Sequence, residues 1–319
     1  MKNLVIPGTD IKCGSLCFGP ATLGALIDEK TSFEILDYYA ENGGNLLDTA
    51  HVYCDWLNLG TSTNEKLIGK WLTSRKMHHK MQIATKGGHY RFNTPEISRV
   101  TRQGILEDIY EGLENLQTDY IEFYWLHRDN LGLDVGEILE FLNEFKRMGL
   151  IKWFGGSNWT HKRLQEASTY AQSHSIQGLS AVQNLWTVAK MNNPPGDPTC
   201  VVCDKEDISF YEKTGLPLFA YTPQANGFFT KLDKLGVAEL SDNMKNTYLN
   251  DYNKALLFKL KELAGKYECT INDIVLAYQT SQAFNCIPVF NCSNIVQLKE
   301  VMSNCEIRLT QTEISNLEA

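Results

Sequence analysis

Four polar residues, Asp48, Tyr53, Lys86 and His127, lie at or just beyond the ends of three apolar segments of the sequence. Together they have the chemistry that carbonyl reduction needs, because hydride arriving at a carbonyl carbon leaves charge on the oxygen, which then requires a proton donor and stabilising neighbours. Tyr53 is the candidate donor, and the ammonium of Lys86 would lower the phenol pKa from its ordinary value of about 10. Asp48 can pair with Lys86, and His127 can hydrogen-bond the carbonyl.

The elements that would position these side chains are indicated by short apolar runs that alternate with stretches of helical periodicity. This pattern is typical of parallel βαβ units, and eight such runs predict an α/β fold, a closed (β/α)8 TIM barrel. Active sites of such barrels lie at the carboxyl ends of the strands, where the four polar residues fall. The runs span residues 15–19, 45–48, 81–86, 120–127, 153–157, 181–184, 216–221 and 286–290.

Further elements are expected before, between and after these runs. Residues 4–13 hold two short apolar pieces around a Pro-Gly-Thr-Asp turn, which predicts an N-terminal β-hairpin that plugs the lower end of the barrel. We therefore predict a single domain over residues 1–319. The predicted helices span residues 33–41, 65–72, 102–116, 137–148, 164–173, 207–213, 253–267 and 272–281, with C-terminal helices at 294–303 and 312–317.

Composition excludes several classes of protein. The 319 residues are 43% hydrophobic with a formal net charge of −8, and Lys and Arg do not cluster, which argues against a nucleic-acid surface. No apolar run approaches the ~20 residues of a membrane span, and the first residues lack the apolar core of a signal peptide. A cytoplasmic location is the expectation. Oligomeric state is open, with a monomer slightly favoured.

The nine cysteines are an odd number spread along the chain, which fits reduced thiols better than a disulfide framework. Cys200 and Cys203 have the spacing of a metal-binding pair. Without a second pair or a nearby His they are interpreted as loop cysteines, and no metal is expected. Cys54 lies beside Tyr53 and is interpreted as a small packing residue rather than a reactive thiol.

Fingerprints of other nucleotide folds and of zinc hydrolases are absent from the sequence. No two glycines are separated by a single residue, so neither the G-x-G-x-x-G nor the Walker pattern occurs, and there is no His-Glu-x-x-His. If a nicotinamide cofactor binds, a barrel must hold it.

The chain resembles the aldo-keto reductases, single-domain (β/α)8 barrels that use NAD(P)H without a Rossmann domain. The resemblance covers essentially the whole chain and depends on the order and spacing of several motifs. These are Leu47-Asp48-Thr49-Ala50-His51-Val52-Tyr53, Asn64-Glu65-Lys66-Leu67-Ile68-Gly69, Thr85-Lys86, Leu126-His127, Gly156-Ser157-Asn158-Trp159, Val182-Gln183-Asn184 and Tyr221-Thr222-Pro223-Gln224.

The resemblance implies a set of cofactor-binding residues. Ser157, Asn158 and Gln183 would hold the nicotinamide carboxamide, and the Tyr221 ring would stack on the nicotinamide. Thr222 and Gln224 would lie near the pyrophosphate, although the family often has leucine and then glycine where this chain has Gln224 and Ala225. The adenosine end would be formed by Asn291, Ser293, Gln297 and Glu300.

The choice of cofactor is less typical. NADPH-specific relatives usually carry Lys or Arg around the position of Ser293, whereas here no cation precedes Lys299. Val301 stands where relatives often have an asparagine that contacts adenine. Family habit favours NADP(H), and NAD(H) stays an alternative.

Substrate contacts are predicted from exposed aromatic residues. Trp56 and Trp186 offer surfaces that can pack on a sugar face, which suggests a polar aldehyde or keto sugar as substrate. The segments 192–207 and 227–253 would overhang the pocket and set specificity.

Two other functions remain open on the sequence alone. One is a regulatory barrel subunit that binds nucleotide with little turnover, against which the intact set of four residues argues. The other is an unrelated barrel lyase or isomerase that uses Lys86 as a Schiff base.

Overall fold

Eight parallel strands close into a barrel in the computed structural model, which describes residues 3–319. Each barrel strand pairs with the next in chain order, and the last closes on the first through Val289 beside Cys17 and Phe290 beside Phe18. The predicted α/β barrel is confirmed. The strands are the hairpin strands β1 (Asn3–Val5) and β2 (Lys12–Gly14) and the barrel strands β3 (Cys17–Phe18), β4 (Leu46–Asp48), β5 (Gln82–Gly87), β6 (Ile121–Leu126), β7 (Ile151–Ser157), β8 (Val182–Leu185), β9 (Leu218–Tyr221) and β10 (Cys286–Phe290).

The predicted N-terminal hairpin is also present. Strand β1 pairs antiparallel with β2, and the turn side chains Ile6 and Ile11 are buried in one apolar cluster with Phe123 and Trp125 of the barrel interior. The hairpin meets the barrel where β5 begins, because the carbonyl of Lys12 accepts a hydrogen bond from the Gln82 side chain. The opposite end of the barrel is left for the site.

Helices surround the barrel, and most begin at a side-chain cap. Asp28, Thr101, Asp134 and Thr160 each accept a hydrogen bond from a backbone N–H of the first helical turn. The α-helices are α1 (Glu29–Glu41), α2 (Thr63–Arg75), α3 (Arg102–Leu116), α4 (Val135–Arg147), α5 (His161–His174), α6 (Lys205–Thr214), α7 (Phe228–Leu235), α8 (Asp242–Tyr248), α9 (Asp251–Lys266), α10 (Ile271–Thr280), α11 (Ile295–Ser303) and α12 (Gln311–Glu318). Short 3-10 turns span Asp55–Leu57, Ala225–Gly227 and Val237–Glu239.

The barrel strands are buried on both faces, which explains why they occur as continuous apolar runs. All six residues of β6 are buried, including Tyr124 on one face and Trp125 on the other. A Cβ added at Gly155 would lie 2.6 Å from the Trp125 ring, so glycine allows that ring to fill the interior. The core thus fixes strand register and the directions of the strand-end residues.

Two segments were predicted to overhang the mouth of the barrel, and residues of both line the cavity described below. One is the loop between β8 and α6, and the other lies between β9 and α9. The second contains α7 and α8, which were not predicted as helices. Helix α7 has only eight residues and follows Asn226 and Gly227 in left-handed conformations without a side-chain cap, so its start lacks the usual sequence signals. Within residues 3–319 no helix is long and apolar enough to cross a membrane.

Candidate active site

Lys86 connects the predicted catalytic residues. Its Nζ lies 2.5 Å from Asp48 Oδ2, 2.7 Å from the Thr49 carbonyl and 3.0 Å from Tyr53 OH. The side chains of Asp48 and Lys86 are each only 1% exposed. An ammonium has three N–H donors, and three acceptors surround this one, so its position is fixed.

Backbone hydrogen bonds to β5 hold the segment that carries Tyr53. The N–H of Thr49 donates to the carbonyl of Ala84, and the N–H of His51 donates to that of Lys86. Tyr53 then donates its N–H to Ala50 in a turn. The chain after β4 is therefore folded back across the end of β5, which brings the phenol to the ammonium.

Burial and charge oppose each other at Tyr53. Burial raises the pKa of the Tyr53 phenol above its ordinary value, and the nearby Lys86 ammonium only partly offsets that rise. The expectation that Lys86 lowers this pKa overall is therefore wrong for the protein without ligand, because desolvation of the phenolate outweighs the attraction of the ammonium. Tyr53 keeps its proton at neutral pH, as a proton donor must.

Lys86 stays protonated. Burial would lower its pKa, but the Asp48 carboxylate and Tyr53 more than offset this and raise the pKa above the ordinary value. A Schiff-base lysine must lose its proton to attack a carbonyl, so this environment argues against the lyase alternative.

His127 faces the same space from the end of β6. Its ring centroid lies 6.0 Å from that of Tyr53. Burial, followed by the positive charge of Arg128, lowers the pKa of His127 well below its ordinary value, so the ring is neutral. Its Nδ1 is buried without a partner among the described residues, which leaves Nε2 as the nitrogen available to a ligand.

A cavity of about 580 Å³ extends from Tyr53 and His127 across the barrel mouth. All ten residues predicted to bind the cofactor line this cavity. They are Ser157, Asn158, Gln183, Tyr221, Thr222, Gln224, Asn291, Ser293, Gln297 and Glu300.

Polar contacts join the catalytic residues to the end of the cavity formed by β7, β8 and β9. Gln183 donates to Asp48 Oδ1 at 2.9 Å. Asn158, in a left-handed conformation with φ of 62°, donates to the His127 carbonyl at 3.1 Å and accepts from Tyr221 OH at 2.5 Å. The residues predicted to hold the carboxamide thus lie directly beside the predicted catalytic group.

Besides the residues predicted for the adenosine end, the cavity lining includes two cations that the sequence reasoning missed. Lys231 and Lys234 of α7 line the cavity together with Ser293 and Gln297. The sequence around Ser293 did not predict these lysines, because they belong to a helix some sixty residues earlier in the chain. Gln297 accepts from the Ser293 N–H at 2.7 Å, which orders this end.

The two tryptophans predicted to contact substrate lie in different places. Trp56 is 44% exposed and meets Tyr53 edge-on at 6.2 Å. Trp186 packs in the core against Tyr278 and Phe284, and neither tryptophan lines the cavity. It directly follows β8, and its ring turns outward to α10, a direction that the sequence did not indicate.

Arg128 and Cys200 also line the cavity and were not predicted. Arg128 directly follows His127, so its place at a strand end was the available signal. Cys200 lies in the loop after β8. All nine cysteines are among the described residues and are free thiols, as expected for a chain without a disulfide framework.

Comparisons with known proteins agree with this geometry. The model of the Aldo/keto reductase family matches residues 15–319. Norsolorinic acid reductase B of Aspergillus parasiticus is 23% identical over 328 residues, covering 98% of this chain and 82% of that protein. A putative aryl-alcohol dehydrogenase of Saccharomyces cerevisiae is 24% identical, with 97% of this chain and 83% of that protein covered.

A bacterial relative and a solved structure extend the comparison. An uncharacterized oxidoreductase of Bacillus subtilis is 25% identical over 97% of this chain and 92% of its own length. The crystal structure of a thermostable aldo-keto reductase in complex with the inhibitor epalrestat has a TM-score of 0.73 and 22% identity, covering 100% of this chain and 99% of that chain. Since the family model spans nearly all of the sequence, this chain belongs to the Aldo/keto reductase family.

Proposed function

We propose that this protein is an NAD(P)H-dependent oxidoreductase that reduces an aldehyde or ketone to an alcohol, with Tyr53 as the proton donor. The observation that carries the proposal is the 3.0 Å contact between Tyr53 OH and the Lys86 ammonium beside a cavity that His127 also lines. Family membership supports carbonyl reduction in general.

Each catalytic residue has a role that follows from its surroundings. Tyr53 carries its proton at neutral pH and can donate it to the carbonyl oxygen as negative charge develops there. The phenolate that results is stabilised by Lys86, whose ammonium is already oriented by Asp48. Neutral His127 can orient the carbonyl by donating a hydrogen bond from Nε2.

The residues of the cavity fit a nicotinamide cofactor, which when bound supplies the hydride. Ser157, Asn158 and Gln183 would bind the carboxamide, and the Tyr221 ring would lie against the nicotinamide. The Thr222 side chain also lines the cavity and would lie near the pyrophosphate.

We further propose a preference for NADP(H). Lys231 and Lys234 are exposed cations that line the same cavity as Ser293. An ammonium group pairs strongly with a phosphate and has no such partner on a free ribose hydroxyl. Glu300 lines the same cavity and weakens the local positive charge, so discrimination should be moderate.

The substrate half of the site is proposed to take a carbonyl attached to a flat, apolar group. Rings in contact run from Trp56 through Tyr53, His127 and His89 to Phe92, with centroid separations between 4.9 and 6.2 Å. Offset and edge-on contacts of this kind favour an aryl group. One relative is named as an aryl-alcohol dehydrogenase, which supports an aryl carbonyl over a sugar.

The test is turnover on a carbonyl panel by the unmodified protein and by Tyr53→Phe. The panel pairs an aryl aldehyde with its saturated ring counterpart and adds an aldose, each assayed with NADPH and NADH. We expect the aryl aldehyde to be reduced best, and Tyr53→Phe to lower kcat by at least about 10²-fold with little change in NADPH affinity.

The control is Tyr110→Phe, which removes an exposed phenol hydroxyl on α3 outside the cavity. It should leave kcat unchanged. Tight NADPH binding without turnover on any carbonyl would instead support the regulatory barrel, and normal turnover of Tyr53→Phe would rule out Tyr53 as donor.

A further inference from the structure

Arg128 is a buried cation at the cavity to which the proposed chemistry gives no role. Only 9% of the residue is exposed. Its Nε donates to Thr199 Oγ1 at 2.6 Å, its Nη1 to the His127 carbonyl at 2.8 Å, and its Nη2 to Asp197 Oδ2 at 2.8 Å. A guanidinium with this many directed hydrogen bonds is held rigidly.

These contacts join loops that follow three different strands. His127 ends β6, and Asp197 and Thr199 belong to the loop after β8. His89, in the loop after β5, accepts a further hydrogen bond from Arg128 Nη2 through its Nε2 at 3.1 Å. Asp197 also accepts from Tyr90 OH at 2.9 Å, so the same ion pair fastens both neighbouring loops.

The contacts of His89 fix its protonation state. Its Nδ1 lies 2.7 Å from the Tyr90 carbonyl, which accepts only from an N–H, while Nε2 accepts from Arg128. Burial, followed by the charge of Arg128, lowers the pKa of His89 to about 4. The ring is therefore neutral, and it meets the His127 ring at 4.9 Å.

The charges near His127 come from every element packed around it. Lys86 on β5 is positive but is paired with Asp48 on β4. The loop after β4 adds His51, whose charge also disfavours a proton on His127, and the phenol of Tyr53.

The β8 loop adds Asp197, which partly neutralises Arg128, and the Cys200 thiol, 4.0 Å from Arg128 Nη2. Among the charges acting on His127, Arg128 has the largest effect after burial itself.

We propose that Arg128, held by Asp197, is a positioning residue that fastens the loops around His127 and, together with burial, disfavours a charged His127 ring, so that its loss moves the acidic limit of activity. The inference depends on the proposed function for its kinetic consequence, but not for its effect on the histidine. A protonated His127 would still donate a hydrogen bond to the carbonyl. It would also compete with Tyr53 as the acid and add a second positive charge beside Lys86, so Tyr53 would no longer be the sole proton donor.

The test follows the ring of His127 by NMR titration and the acidic limb of kcat/KM against pH for a neutral aldehyde. Arg128→Gln should move both to higher pH by about one unit or more, because it removes the cation that binds the His127 carbonyl and the neighbouring His89 ring. Arg128→Lys keeps the charge, so the titration of His127 should match that of the unmodified protein. KM should rise, because lysine lacks the forked guanidinium that joins the loops.

Asp197→Asn should shift the titration of His127 in the opposite direction. It removes the charge that partly neutralises Arg128, so the titration of His127 should move to lower pH. Arg102→Gln is the matched control, because Arg102 pairs with Glu144 on the helices outside the cavity. It should change neither readout.

Several outcomes would overturn the inference. An unchanged His127 titration in Arg128→Gln would do so, as would shifts of the same sign in Arg128→Gln and Asp197→Asn. A selective loss of activity on a carboxylate-bearing aldehyde, without a change of titration, would show that Arg128 binds substrate instead. If the unmodified protein turns over no carbonyl, the proposed function fails, while the NMR titration still decides this inference.

Discussion

His51 connects the segment that carries Tyr53 to helix α3. Its Nε2 lies 2.7 Å from Glu111 Oε2, and its N–H is bonded to the Lys86 carbonyl. Burial acts to lower the pKa of His51, but the carboxylates of Glu65, Asp108 and Glu111 outweigh it and raise the pKa above the ordinary 6.5. A charged His51 is thus more stable in the folded protein than in the unfolded chain.

This raised pKa predicts a pH-dependent contribution to stability. The contribution is complete below the unfolded pKa of about 6.5 and is lost as pH rises through the higher folded pKa. His51→Gln should therefore lower Tm more at pH 6 than at pH 9. The corresponding difference in the free energy of unfolding should be at most about 1 kcal/mol, because Glu111 is exposed to solvent. Thermal unfolding of both proteins over this pH range measures it.

The matched control is His79→Gln, at an exposed histidine near the end of α2. This substitution should change Tm by the same small amount at pH 6 and at pH 9. A Tm difference for His51→Gln that stays constant from pH 6 to pH 9 would contradict the charged pair.

Residue types at strand ends were enough to predict that Asp48, Tyr53, Lys86 and His127 lie close together, because chemistry of this kind constrains identity and position together. The direction of the Tyr53 pKa was not predictable, since it depends on how much water the fold excludes. The contacts of Arg128 were equally hidden, because its partners His89 and Asp197 are far away in sequence.

At the scale of elements, helix α12 shows how a short helix is stabilised. Thr310 caps it and Glu313 completes a capping box, with Lys266 of α9 beside the Glu313 carboxylate at 2.6 Å. Although burial works in the opposite direction, Lys266 and the Thr310 N–H lower the pKa of Glu313 to about 2. The sequence predicted this helix over residues 312–317, one residue later than its start at Gln311.

Glu313→Gln should therefore destabilise the protein at neutral pH by about 0.3–1 kcal/mol, the usual value of a negative charge near a helix N-terminus, since glutamine can keep the hydrogen bond of the capping box. A depressed pKa stabilises above the unfolded pKa and loses its effect as pH falls towards the folded value, so the difference from the unmodified protein should shrink between pH 6 and pH 3. Urea unfolding at several pH values measures this.

Glu262→Gln on α9 is the control, because Glu262 is exposed and its substitution should be nearly neutral. A Glu313→Gln effect that is as large at pH 3 as at pH 6 would rule out the contribution of charge.

Elements could be predicted where burial leaves a pattern in the sequence. Strands β4 to β10 are apolar because both of their faces are covered, and long helices such as α3 and α4 show their periodicity. Helices α7 and α8 were missed because they are short, and because α7 starts after residues in left-handed conformations that read as a turn.

At the scale of the whole molecule, the cavity is assembled from segments that are far apart in sequence. The chain carries a net charge of −8, yet Lys231 and Lys234 add positive charge to the lining of the cavity. Because these lysines belong to α7 whereas Ser293 follows β10, sequence order gave no sign that they line the same cavity.

Lys231→Gln combined with Lys234→Gln should weaken NADPH binding by about tenfold or more and leave NADH binding within about twofold, because each lost ion pair acts on the extra phosphate. Fluorescence titration gives both dissociation constants. Lys70→Gln, at an exposed lysine on α2 that pairs with Glu29, is the control. Equal losses for both cofactors would mean that these lysines contact the shared pyrophosphate.

The most direct test of the central claim follows hydrogen from cofactor to product. NADPH deuterated at either face of nicotinamide C4 is supplied with an aryl aldehyde to the unmodified protein and to Tyr53→Phe, and the alcohol is examined by mass spectrometry. We predict deuterium on the carbinol carbon from one face only, and labelled alcohol formed at least about 10²-fold more slowly by Tyr53→Phe. Alcohol without deuterium from either face, or labelled alcohol formed at an undiminished rate by Tyr53→Phe, would contradict the account.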